Sequence, residues 1–279
     1  MPLRTTIIFL LLLIILVFVF LMDILLGSIQ IPIQKIFSVI LTNHHDGYSE
    51  IIWQFRLPKA LTATLVGSSL AVSGLLMQTL FKNPLAGPYV LGISSGASLG
   101  VALLIMASGA SWIPIFMVTS GWGQIFAAII GALLILMLVL LFSTRINDTV
   151  SLLIVGMMFG SITGALVNVL QSITNPDALK IFVIWTMGSL SAVSWEYMYI
   201  MFPMLFAGLL ISLLLPKQLN ALLLGENYAK SIGVTVFRLR FIIILVTCLL
   251  AGAATAFTGP IAFIGVAVPH IIRGIFRSS

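Results

Sequence analysis

Residues 7–22 read IIFLLLLIILVFVFLM, sixteen apolar residues without a break, between Arg4 and Asp23. A helix rises about 1.5 Å per residue, so this run covers most of a bilayer core. No small-residue cleavage pattern follows it, which identifies a retained first helix and not a signal peptide. The same reading applied outward predicts further spans at 60–81, 91–107, 122–142, 150–171, 195–215, 239–257 and 260–276, eight in all. Composition agrees. Of 279 residues 61% are hydrophobic and 7% charged, with mean hydropathy +1.24, whereas a soluble domain carries about a quarter charged residues. Roughly 170 apolar residues, about 20 to a span, make about eight helices. The chain is therefore expected to be an all-α polytopic membrane protein forming a single transmembrane domain over residues 1–279.

The net charge of +6 does not point to nucleic acid, because the thirteen Lys and Arg are scattered singly between apolar runs. Excess Lys and Arg mark cytoplasmic loops. With the N-terminus cytoplasmic, Arg4, Lys82, Arg145, Lys217, Lys230, Arg238, Arg240, Arg273 and Arg277 fall inside. Lys35, Arg56, Lys59 and Lys180 fall outside. The polar stretch 27–59, with His44, His45, Asp46 and Glu50, reads as a loop outside the lipid. The single cysteine, Cys248, lies in an apolar run and excludes an internal disulfide.

Glycines recur at helical spacing: Gly92, Gly96 and Gly100; Gly156, Gly160 and Gly164; and Gly67, Ala71 and Gly74 leading to Gln78. Small residues let helix backbones approach in lipid, and packing alone explains most such stripes. Asn168 extends the second stripe by a turn, and an amide at that depth needs protein or water beside it. That helix is the internal candidate for one lining a path or a subunit interface.

No H-E-x-x-H pattern or cysteine–histidine cluster offers a metal site, and no cofactor-binding pattern is present. Gly92 to Gly96 spells G-x-S-x-G, which with His270 would suggest a serine hydrolase, but the motif opens a predicted membrane helix where a nucleophile elbow needs a preceding strand. The dipeptide Gly-Lys is absent, so the chain has no P-loop and any ATP use belongs to a partner. Acids are rare within the spans, which weakens an ion-gradient-driven secondary transporter without removing it, since broken helices can bind sodium through backbone carbonyls.

Two interruptions carry more information. Lys82 to Pro88 places two prolines and a glycine between the second and third spans, a shaped turn on the inner side. Pro216 to Arg240 is the longest inner segment, and Leu224 to Gly233 within it reads as a short amphipathic helix ended by glycine. Residue chemistry alone leaves this helix evenly divided between a lipid headgroup surface and a docking element for a cytosolic partner.

Together these segments resemble the permease subunits of ATP-binding cassette importers for iron–siderophores, haem and cobalamin, the BtuC/FecCD-like family. The resemblance rests on Arg56-Leu57-Pro58-Lys59, Asn83-Pro84-Leu85-Ala86-Gly87-Pro88 and Leu91 to Ala97. It continues through Trp185-Thr186-Met187-Gly188, Leu224-Gly225-Glu226 with Ala229 and Gly233, Gly259 to Gly265, and Pro269-His270-Ile271-Ile272-Arg273. It implies an inward-transporting permease of the bacterial cytoplasmic membrane, paired with a second permease copy. Cytosolic ATPase subunits would lie below and an extracytoplasmic substrate-binding protein above, with lipid around.

In that scheme Leu224, Gly225, Glu226, Ala229, Lys230 and Gly233 form the ATPase-coupling helix, with Glu226 and Lys230 in polar contact across the interface. Asn83, Leu85 and Thr149 build the cytoplasmic gate. Arg56 and Lys59 meet acidic residues of the binding protein, and Trp185 to Gly188 borders the translocation path. The family has ten spans, so the resemblance also implies that this chain stops two helices short of it.

Overall fold

A computed structural model of the chain describes residues 3–27, 29, 31, 47–106, 120–143, 145–146 and 148–276. The expectations attached to Lys35, His44, His45, Asp46 and Arg277 lie outside these residues. All regular elements among the described residues are helical. They are α1 (Leu3–Leu25), α2 (Gly47–Phe81), α3 (Ile93–Met106), α4 (Gly121–Ser143), α5 (Thr149–Ile173), α6 (Pro176–Thr186), α7 (Trp195–Leu213), α8 (Pro216–Leu223), α9 (Glu226–Ser231), α10 (Val236–Thr258) and α11 (Ile264–Phe276).

Six of these, α1, α2, α4, α5, α7 and α10, are long and apolar enough to cross a membrane. The third and eighth expected spans correspond to α3 and α11, which are shorter. The 13 residues of α11 reach only about 20 Å at the usual rise. It starts at Ile264 and not at Pro260 because Gly259 and Phe263 take positive φ, 74° and 68°, between it and α10. Likewise α3 is preceded by a 3-10 turn at Pro88–Leu91 and by Gly92 at φ 74°.

The largest departure from the sequence reading is the stretch 27–59. From Gly47 onward it is helix, continuous with the second span. Glu50, Gln54, Arg56, Lys59 and Pro58 give it the composition of a loop, yet Pro58 stands in the first turn after a wide π turn at Ile52–Arg56. At such a junction a missing N–H is most easily tolerated. A second π turn, Cys248–Gly252, interrupts α10.

Glycine sets the closest crossings. A methyl group at Gly100 would lie 2.0 Å from the Ala127 carbonyl oxygen, and one at Gly131 only 2.1 Å from that of Gly96, so α3 and α4 meet backbone to backbone. The pair α2 and α11 does the same, with a methyl at Gly74 falling 1.7 Å from the Gly265 carbonyl oxygen. Lipid offers apolar side chains no advantage over protein, so such backbone approach supplies the packing that holds helices together. Leu70, Met77, Ile93, Val101, Val139, Ile243 and Leu250 fill the core around α10, whereas α1 keeps nearly all its apolar side chains exposed at the periphery.

Candidate functional site

The end of α2, the starts of α5, α9 and α10 and the end of α8 meet around one cavity at one end of the bundle. This end carries Lys82, Arg145, Lys217, Lys230, Arg238 and Arg240. Here α2 closes with Lys82 in the left-handed region, φ 47°, its N–H donating to the carbonyls of Gln78 and Thr79. The Asn83 N–H donates to the Gln78 carbonyl at 3.1 Å. Such bonds satisfy carbonyls left open at a helix end. The Asn83 side-chain oxygen then accepts from the Leu85 N–H at 2.9 Å. This fixes the turn so that Leu85 projects from it, 75% exposed.

Facing that turn is the start of α5. Asp148 caps it, accepting from both the N–H and the hydroxyl of Ser151 at 2.7 Å. The Ser151 hydroxyl and N–H, with a weaker pull from Arg240, hold the Asp148 carboxyl below its usual range. Thr149 is the first residue of α5; its side chain lies outside the description. Lys82 on the turn and Asp148 and Val150 on α5 line a single cavity of about 250 Å³, together with Leu222, Glu226 and Arg240. Asn83 and Leu85 themselves do not line it; their neighbour Lys82 does.

The segment Leu224 to Gly233 is not one helix. It is the six residues of α9, Glu226–Ser231, set between Gly225 at φ 129° and Gly233 at φ 88°. Neither glycine has a neighbour that a side chain would strike, so the backbone angle, and not crowding, is what requires glycine there. Ala229 is fully buried. Lys230 is exposed.

Glu226 stays partly exposed and pairs within the chain with Arg240 at 3.4 Å. Among the apolar residues exposed here are Leu224, Tyr228 and Ile232, at 71%, 48% and 55%. Tyr228 and Ile232 escaped the sequence reading, although they stand one turn apart on and just after α9. Arg240, counted in sequence only as a topology charge, is buried and also donates to the Ile146 carbonyl at 3.2 Å.

At the opposite end Arg56 and Lys59 close the stretch 27–59, whose composition reads as a loop. Both lie inside α2 and not in a loop. Arg56 is 7% exposed and donates to the carbonyls of Ile24 at 2.7 Å and Leu25 at 2.8 Å, and to that of Ile29. It is committed to the end of α1 and offers no free guanidinium to an external partner. Lys59 pairs with Asp23 at 2.7 Å and stays about a third exposed.

Trp185 to Gly188 meets the turn after α10. The Ser189 N–H donates to the Thr258 carbonyl at 2.7 Å, and a methyl at Gly259 would fall 2.6 Å from the Trp185 carbonyl oxygen. A cavity of about 280 Å³ opens beside this contact, lined by Trp185, Tyr197 and Phe257 among others. Two motifs more than seventy residues apart thus form one structure.

The glycine stripe of α5 divides. Gly156 and Gly160 are taken up by packing within the chain, against the turn Val90 to Gly92. Gly164 has no neighbour within 4 Å, and Asn168 is exposed, as are Ser161 and Ser172 on the same helix. Among the described residues no hydrogen bond joins Ser94 to His270, and no group of three His, Cys, Asp or Glu side chains could hold a metal ion.

Residues 13–279 match the FecCD transport family. Over 249 residues the chain is 36% identical to the hemin transport system permease HmuU of Yersinia pestis, covering 89% of this chain and 72% of that one. It is 33% identical over 258 residues to the ABC transporter permease YvrB of Bacillus subtilis, covering 88% and 71%. It is 38% identical over 224 residues to the vitamin B12 import permease BtuC of Klebsiella pneumoniae, covering 80% and 65%. A solved structure described as an inward-facing conformation of a metal-chelate type ABC transporter superposes with TM-score 0.82 at 30% identity, over 96% of this chain and 80% of that one.

Proposed function

From the premise that the chain belongs to the FecCD transport family, a multi-pass permease of the ATP-binding cassette type, we propose that it carries an iron–siderophore, haem or cobalamin inward across a bacterial cytoplasmic membrane. Residues 1–279 act as one transmembrane unit with the N-terminus in the cytoplasm, paired with a second permease copy. A separate cytosolic ATPase drives it, and an extracytoplasmic binding protein delivers the cargo. The relatives' names support the cargo class: they transport hemin or vitamin B12.

The observation that carries this reading is the end of the bundle around α9. A short helix held between two glycines that no other residue would suit presents Leu224, Tyr228 and Ile232 to solvent beside a cluster of cations. An apolar surface at a water-facing end has no reason to stay open in a lone subunit, and a cytosolic ATPase supplies the cover. Buried aromatic and aliphatic anchors would carry the affinity, with Lys230 at the rim.

Displacement of α9 on ATP binding opens and closes the gate formed by Asn83, Leu85 and the start of α5 at Thr149. On α5 the exposed Ser161, Asn168 and Ser172 face the path between the two permease copies, where water satisfies them. Lys59 is the docking contact for the binding protein, an acidic residue of which competes with Asp23 for it. A large chelated cargo suits a path with few charges, because a tight charged site would retain it.

The test is co-purification of the ATPase with permease carrying Tyr228→Asp or Ile232→Asp. Membrane insertion should be unchanged and ATPase recovery lost. ATPase recovery equal to that of the unsubstituted chain would overturn the assignment of α9.

A further inference from the structure

Arg240 connects three elements that the chain brings to one point. It lies in the first turns of α10, only 5% exposed. It donates to the Ile146 carbonyl, two residues before the cap of α5, at 3.2 Å, and it pairs with Glu226, the first residue of α9, at 3.4 Å. Asp148, which caps α5, is close enough to feel its charge. A buried cation that holds a carbonyl on one element and a carboxylate on another ties their positions together, because moving either leaves a buried charge under-partnered.

The surroundings allow motion. Well-packed interiors resist displacement, but beside this contact lies the cavity of about 250 Å³ lined by Leu222, Glu226, Arg240, Lys82, Asp148 and Val150. Two glycines at positive φ, with nothing packed against them, bound α9.

We propose that Arg240 is the relay residue of the permease: through Glu226 it senses the position of α9, and through the Ile146 carbonyl it sets the position of the start of α5, and with it the gate. Arg240 touches neither cargo nor ATP and acts as a positioning residue. The proposal rests on the reading of α9 as the coupling element.

The experiment uses the full chain assembled with its ATPase, in a Cys248→Ala background. Spin labels are placed at Ile232→Cys to follow α9 and at Val150→Cys to follow α5, each paired with a reference label at Leu138→Cys on α4. Distances are compared without nucleotide and after trapping with ATP and vanadate. In the otherwise unsubstituted chain both pairs should shift. In Arg240→Gln and in Glu226→Ala the α9 pair should still shift, while the fraction of molecules with a displaced α5 falls roughly 3- to 30-fold. Glu226→Gln should restore part of it, since its amide oxygen still accepts a hydrogen bond. Glu226 is partly exposed, so Glu226→Ala remains informative where Arg240→Gln does not fold. An α5 shift that persists in both variants overturns the relay. So does loss of the α9 shift in Glu226→Ala, which would place Glu226 in the ATPase contact. Absence of any α9 shift in the unsubstituted chain instead removes the coupling reading, and the relay with it.

Discussion

Arg56 and Arg240 are both buried, both reach across large sequence distances, and sit at opposite ends of the bundle. Arg56 donates to three backbone carbonyls, of Ile24, Leu25 and Ile29, which all belong to the end of α1 and the turns after it. The last carbonyls of a helix lack intrahelical partners and carry partial negative charge, so a guanidinium there completes both sides. Gly27 adjoins it so closely that a methyl there would lie 2.8 Å from the guanidinium. Arg240, by contrast, reaches a carbonyl and a carboxylate on separate elements, at 3.2 and 3.4 Å, beside a cavity. Arg56 ties α2 to the end of α1 and forms a strut. Arg240 joins α10 to groups on two further elements and forms a joint.

The sharpest way to break this comparison is Arg56→Met against Arg240→Met. Charged hydrogen bonds contribute about 1.5–3 kcal/mol each, and water at the membrane surface will replace some of those lost. Arg56→Met should therefore destabilise the protein by about 3 kcal/mol, measured by thermal unfolding in detergent, and Arg240→Met by clearly less. Equal losses would mean that both arginines are struts. Next in size is Gly233→Ala. An L-residue at its φ of 88° costs about 1–2 kcal/mol, and since nothing packs on Gly233 the cost should stay local. Amide exchange should speed up in α9 while α2 and α10 are unchanged. Lys59→Ala follows, worth less than about 1 kcal/mol because the pair with Asp23 is partly exposed and screened by salt. Its effect on unfolding should fade as salt rises, while that of Arg56→Met persists.

What the sequence revealed divides along the same line. Long, predominantly apolar runs made α1, α4, α5 and α7 legible, since only a membrane span accounts for apolar segments of that length. The glycine stripes announced the α3–α4 and α2–α11 crossings, although not which helix would meet which. The start of α2 was unreadable, because Glu50, Gln54, Arg56 and Lys59 look like loop residues until α1 is seen beside them supplying carbonyls and a carboxylate. Arg240 was hidden for the same reason. A lone arginine at a span boundary reads as topology, and only the fold shows that Ile146 and Glu226, ninety-four and fourteen residues away, converge on it. Residue chemistry left the α9 segment divided between a headgroup surface and a docking element and drew attention to the charges of Glu226 and Lys230, while the exposed Tyr228 and Ile232 passed as ordinary apolar residues. Asp148 had a visible signal in its spacing to Ser151, an N-cap pattern preceding an apolar helix.

The smallest expected effect concerns that cap and separates the two ends by pH. Hydrogen bonds from Ser151, aided by Arg240, lower the Asp148 carboxyl in the folded chain below its ordinary range. A group lowered by folding stabilises the fold fully at pH above its unfolded value, and loses that contribution as pH falls through the lowered folded value. Asp148→Asn keeps a capping oxygen but removes the charge, so the small stability gap between it and the unsubstituted chain should be flat from pH 8 to about 5. It should begin to close near about pH 4 and vanish once the pH is below the lowered folded value. Thermal unfolding of both forms across that range, with amide exchange at the first turn of α5, measures the gap. The deficit of Arg56→Met should show no such closure, because its acceptors are carbonyls and do not titrate. A gap at Asp148 that changed between pH 6 and 8 would point to a different titrating group at the joint, and a deficit at Arg56 that closed in acid would mean that a carboxylate, and not the end of α1, is its true partner.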